Sequence, residues 1–166
     1  NEKRVRALNG SGRSPAAASL DTLLNRNFQE IPATSPWAVS IPGTVDAWQT
    51  ILTSYGTMPL SSVLAPAIAY AENGYPVSPV IAHQWSEAVA KLSQLPSGQE
   101  LLLNGNAPRS GEVMRLPELG KVLRDIAEGG RDCFYNGPLA EKIANFVQSE
   151  GGWITAEDLS NHTSTW

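Results

Sequence analysis

The chain has 166 residues, enough for one domain with a real core, and carries 12 basic against 16 acidic side chains, a formal net charge of −4. No basic run is present, which argues against a nucleic-acid footprint, and no apolar stretch reaches the length of a membrane-spanning helix. The single cysteine, Cys133, has no internal disulfide partner and reads as a small apolar residue.

In chain order, the first expected element is a half-buried strand over Val5 to Leu8, where charged and apolar residues alternate. A turn follows at Asn9-Gly10-Ser11-Gly12, its two glycines suited to backbone dihedrals that a Cβ would forbid. Ser14 is placed as an N-cap and Pro15 as the first residue of a helix reaching about Leu24. Pro32 and Pro36 keep the next stretch irregular, and Trp37 to Ile41 alternates as a second short strand stopped by Pro42-Gly43.

Helical periodicity dominates from there. Val45, Trp48, Ile51, Leu52 and Tyr55 form one apolar stripe, capped by Thr44 and ended by Gly56. Leu60 to Ala71 forms the next, ending at Gly74, with Pro66 predicting either a one-turn prelude or a kink. Ser78-Pro79 starts a longer helix through Ile81, Trp85, Ala88, Leu92 and Leu95, closed by Pro96. Asn104 to Gly111 reads as a loop, and Leu116 to Ile126 as a helix ending at Gly129-Gly130. Leu139, Ile143, Phe146 and Val147 mark another helix between Gly137-Pro138 and Gly151-Gly152. Thr155-Ala156-Glu157-Asp158 has the form of a capping box for a last short helix. The pattern is a single, mainly α domain over 1–166 with a few short β-strands. The opening at Asn1 without a methionine, and the stop at Ser164-Thr165-Trp166, are what a piece of a longer protein would show.

Few residues carry chemistry. His83 and His162 are far apart and neither has metal-ligand spacing, so no metal is expected. Gly10-Ser11-Gly12 lacks the glycine and lysine of a phosphate loop, and no cofactor motif is present. Thr163, Ser164 and Thr165 have nothing in sequence to activate them, and Glu157 and Asp158 suit a cap better than an acid pair. No residue of the chain is therefore assigned as catalytic. One candidate ligand contact remains. Arg13 projects from a loop before a helix start, a planar fork suited to a carboxylate or phosphate. Taken alone, that stretch is read more plainly as a solvated surface arginine on a turn.

The order of motifs says more. An arginine before Pro15-Ala16-Ala17-Ala18 precedes the blocks Ala38 to Trp48, Tyr55 to Leu60, Leu64 to Ser78, Ile126 to Gly137 and Gly151 to Leu159. This series resembles the large-subunit half of γ-glutamyltranspeptidases, from about Leu8 to Leu159. The resemblance implies a fragment of an αββα N-terminal-nucleophile hydrolase, made as a precursor that cuts itself into large and small subunits. It implies γ-glutamyl transfer or hydrolysis on glutathione-like amides, with water, an amino acid or a peptide as acceptor and no cofactor. The attacking threonine would begin the small subunit, the partner of this piece, so the piece alone should be inactive. Arg13 matches the arginine that binds the substrate's α-carboxylate.

The match departs from the family pattern beside that arginine. Ser14 stands where many members have glutamate, and Gly12 where they have an acidic or aromatic residue. Acylases of the same fold, acting on cephalosporin side chains, are thus an alternative, and a non-catalytic helical binding module is another. Apart from its companion half, the piece should expose apolar helix faces.

Overall fold

The computed structural model describes residues 3–94 and 96–166. Helices α1 (Leu20–Asn25), α2 (Thr44–Tyr55), α3 (Leu60–Asn73), α4 (Pro79–Leu92), α5 (Pro96–Gln99), α6 (Pro117–Tyr135), α7 (Pro138–Ser149) and α8 (Ala156–Ser160) dominate it. A 3₁₀ turn covers Pro36–Ala38, and strands β1 (Tyr75–Pro76) and β2 (Val113–Met114) form one antiparallel pair. No helix among the described residues is long and apolar enough to cross a membrane. The chain divides into two compact units, one made of the sequence up to Leu60 together with Glu128–Trp166, the other of Ser61–Ala127.

In the second unit, α3 runs unbroken through Pro66, which lies on its exposed side. A proline there lacks the N–H that would reach the carbonyl of Ser62, and both residues are exposed, so water can take its place. Gly74 ends the helix at φ 92°, donating to the Tyr70 carbonyl at 2.9 Å, a left-handed stop that a side chain rarely adopts. Leu64, Ile68, Ala71, Val77, Leu102, Met114 and Ile126 are buried. Arg124 grips both oxygens of Glu72 at 2.6 and 2.7 Å. The β1–β2 pairing sets Tyr75 opposite Met114 across a long intervening segment. Ser78 caps α4 as expected, accepting from the Ile81 N–H at 3.4 Å, and the helix ends at Leu92. The place given to Leu95 lies outside the described residues.

The first unit buries Ile41, Val45, Tyr135, Ala140, Ala144, Ile154 and Leu159, with α7 packed on α8. The end expected at Gly129-Gly130 appears as a break in α6. Gly130 has φ 65° and ψ −158°, and a further helical segment follows to Tyr135. The capping box at α8 is complete. The Thr155 hydroxyl accepts from Asp158 N–H at 3.0 Å, and the Asp158 carboxylate accepts from Thr155 N–H at 2.9 Å. Ile51 and Tyr55 on α2 and Phe146 on α7 are exposed.

Four expectations are corrected here. The N-cap of α2 is Gly43, with no side-chain cap bond, and Thr44 is the first helical residue. Residues 5–8 form no strand; Val5 is fully exposed and, among the described residues, the pairing nearby is a bridge between Asn9 and Thr165. An alternating pattern needs a partner edge to become a strand, and none lies alongside among the described residues. Trp37 to Ile41 is likewise not a strand. Pro36 starts a 3₁₀ turn after Ser35, whose hydroxyl donates to the Pro32 carbonyl at 2.7 Å. The first helix begins at Leu20 with Ser19 as its cap, not at Pro15 with Ser14. The Ala16 N–H is taken by the Asp158 carboxylate at 2.8 Å, and the Ala18 N–H folds back onto the Pro15 carbonyl. The Ala16 N–H, a first-turn donor that a Ser14 cap would have engaged, is held by a tertiary contact instead.

Candidate functional site

The Arg13 corner is a loop pressed between two other pieces of chain. On one side it meets residues 41–43. The Ile41 N–H donates to the Arg13 carbonyl at 3.0 Å. A Cβ on Gly12 would lie 1.4 Å from the Ile41 carbonyl oxygen, and one on Gly43 would lie 2.1 Å from that of Gly10. Neither Gly10 nor Gly12 has positive φ, so close backbone approach, not an unusual dihedral, is what requires glycine here. On the other side the loop meets the chain after α8. Asn9 and Thr165 exchange backbone hydrogen bonds of 2.7 and 3.1 Å, and Asn9 Oδ1 accepts from the Ser11 N–H at 2.9 Å.

Arg13 itself is exposed, and one Nη2–H donates to the Asn161 carbonyl at 2.7 Å. That contact fixes one side of the guanidinium and leaves other donors turned to solvent. A shallow groove of about 580 Å³ borders the loop along Gly10, Gly12, Ile41 and Trp48. An apolar cleft of about 500 Å³ begins at Ser14 and runs over Leu20, Trp37 and Trp153.

Beneath the corner lies a buried polar cluster that no spacing in the sequence reveals. Arg131 donates through Nε to Asp46, through Nη1 to Asp132 at 3.0 Å and through Nη2 to the His162 carbonyl. The second Asp46 oxygen accepts from the Ser164 N–H at 2.6 Å. Tyr135 is wholly buried. Its hydroxyl donates to the Pro42 carbonyl at 2.6 Å and accepts from the Asp46 N–H at 3.2 Å, while its ring stacks on His162 at 5.5 Å. His83, by contrast, stands exposed on α4, 3.8 Å from Glu87. Among the described residues no group of three or more His, Cys, Asp or Glu side chains could hold a metal ion.

Three titrating groups here are all shifted down. Burial pushes Asp46 up, but hydrogen bonds from Ser164 and Arg131 outweigh it. Burial likewise raises Asp158, and the N–H groups of Ala16 and Thr155, the Thr155 hydroxyl and the nearby Arg13 charge outweigh it. For His162 burial itself lowers the value; the Asp46 charge opposes this, and the Arg13 and Arg131 charges add to the fall. A group depressed in the folded state stabilises the fold above its ordinary pKa and loses that contribution as pH falls. Stability should therefore hold near neutrality, fall below about pH 6.5 as the unfolded chain's His162 takes up a proton that the folded site disfavours, and fall again below about pH 3.8. Urea-unfolding midpoints measured across that range test this, and His162→Gln should remove the upper of the two steps.

The comparisons with known proteins agree with this architecture. The family model described as gamma-glutamyltranspeptidase matches residues 1–166. The chain belongs to the γ-glutamyltranspeptidase family. It is 34% identical to the glutathione hydrolase-like YwrD proenzyme of Bacillus subtilis over 165 residues, which is 99% of this chain and 31% of that protein. The chain superposes on the γ-glutamyltranspeptidase of Helicobacter pylori with a TM-score of 0.89 at 30% identity, covering 96% of this chain and 47% of that one. Against the cephalosporin acylase of Bacillus halodurans the TM-score is 0.85 at 37% identity, covering 96% and 31%. These 166 residues thus span under a third of the curated relatives' length, and only part of the larger N-terminal-nucleophile fold of the γ-glutamyltranspeptidase family.

Proposed function

We propose that this chain serves γ-glutamyl transfer or hydrolysis on glutathione-like amides, with Arg13 holding the α-carboxylate of the γ-glutamyl group. The observation that carries the reading is the Arg13 guanidinium, presented to solvent from a loop locked on both sides and steadied by the Asn161 carbonyl. A fork already held on one side loses little freedom when it takes a carboxylate on the other. The nucleophile in this reading is a threonine that begins a small subunit of the same precursor, whose own α-amine can serve as base, so no histidine is needed. The threonine oxygen bonds to the γ-glutamyl carbonyl carbon, the amine leaves with a proton, and water or an amino-acid or peptide acceptor then takes the acyl group. This chain supplies substrate binding and scaffold.

A second reading, an amide acylase that takes a different acyl group, is favoured by a separate observation. Ser14 opens onto the apolar cleft beside Trp37 and Trp153, and the Bacillus halodurans acylase is 37% identical to this chain. The full-length protein assayed with a γ-glutamyl anilide and a glutaryl anilide distinguishes them. Turnover of the γ-glutamyl compound is expected. Turnover of the glutaryl compound alone would replace the first reading with the second, and turnover of neither would favour a binding module.

A further inference from the structure

We propose that Asp46 and Arg131 are positioning residues for substrate binding, acting on Arg13 through the segment of residues 161–165. The inference rests on the reading of Arg13 as the carboxylate-binding group. Asp46 is 3% exposed, so it does not meet substrate itself. What it and Arg131 hold is a strap. Arg131 donates to the His162 carbonyl, and the Ser164 N–H donates to Asp46 at 2.6 Å. The same strap grips the Arg13 loop at two points. Thr165 pairs with Asn9 through both backbone groups, and the Asn161 carbonyl takes the Arg13 guanidinium at 2.7 Å. Inward contacts at His162 and Ser164 are thus flanked by contacts to the loop at Asn161 and Thr165. If the inward contacts slip, the guanidinium and the loop that carries it both move, and a bidentate contact tolerates little misplacement.

A purely structural role would lower the amount or melting temperature of folded enzyme without regard to Arg13. A positioning role acts only while Arg13 is there to be positioned. The test is a double-mutant cycle on the full-length protein, reading KM and kcat for a γ-glutamyl anilide in Asp46→Asn, Arg13→Ala and the double variant. Asp46→Asn should raise KM by about three- to tenfold with kcat within about twofold, and should change KM little when Arg13 is already alanine. Thr165→Pro, at an exposed residue, removes the N–H that bonds the Asn9 carbonyl and also restrains the backbone at Ser164, so it disturbs the strap from its outer side and should show the same dependence on Arg13. It carries the test if Asp46→Asn does not fold. An equal KM increase with and without Arg13 would overturn the inference and leave the reading of Arg13 standing. An Arg13→Ala variant with unchanged KM would remove both.

Discussion

Replacing Asp46 by alanine should destabilise the protein by about 3–5 kcal/mol, because it strands a partly buried guanidinium without its counter-charge. The effect belongs toward the lower end of that range. The Arg131 side chain keeps 21% of its surface exposed and retains Asp132 as a partner, so water and one carboxylate can absorb part of the lost interaction. One further group loses its partner at the same time. The Ser164 N–H donates to the second Asp46 oxygen, and that side chain is only 5% exposed, so little water reaches the vacated position. Asp46→Asn should cost less, since an amide oxygen can still accept one of these bonds. Urea unfolding of the full-length protein, followed by tryptophan fluorescence, measures both. A loss below about 1 kcal/mol for Asp46→Ala would mean the cluster is not holding the C-terminal segment in place.

What could be read in the sequence, and what could not, divides by the range of the interaction. Ser78-Pro79, Thr155 with Asp158, and Gly56 each act within one helical turn, and α4, α8 and the end of α2 follow them. The start of α1 does not; the Ala16 N–H that a Ser14 cap would have engaged goes to Asp158, 142 positions away. Tyr75 and Val113 carry no local sign of pairing, since a two-residue ladder has too little alternation to be seen. At the site, Arg13 is legible as a fork on a loop, whereas its anchor at Asn161 lies 148 positions on. Asp46, in an ordinary helical context, and Arg131, just past an expected helix end, stand 85 positions apart, and only the fold makes them a pair. Gly12 is placed correctly as a required glycine, but the reason is the Ile41 backbone pressed against it, which no dihedral argument anticipates.

Removing the guanidinium is the most direct challenge to the proposed function. Arg13→Ala in the full-length enzyme should raise KM for a γ-glutamyl anilide by about 10- to 100-fold, since charge-assisted bonds to a carboxylate are worth about 1.5–3 kcal/mol. The attacking oxygen and the scissile carbonyl are not touched, so kcat should fall much less than KM rises. Arg13→Lys should recover only part of the loss, because an ammonium restores charge but not the two-pronged geometry. Stability separates this from damage to the fold. Among the described residues the Arg13 side chain makes one hydrogen bond, to the Asn161 carbonyl; it is charge-assisted, worth about 1.5–3 kcal/mol at most and less because it is exposed, so the melting temperature should move by only a few degrees. Substrate chemistry supplies the remaining control. An anilide whose α-carboxylate is replaced by a carboxamide offers the guanidinium no anion, so wild type should bind it poorly and Arg13→Ala should bind it about as well as wild type does. If the variant instead loses the same factor on both compounds, Arg13 shapes the loop but does not recognise the carboxylate.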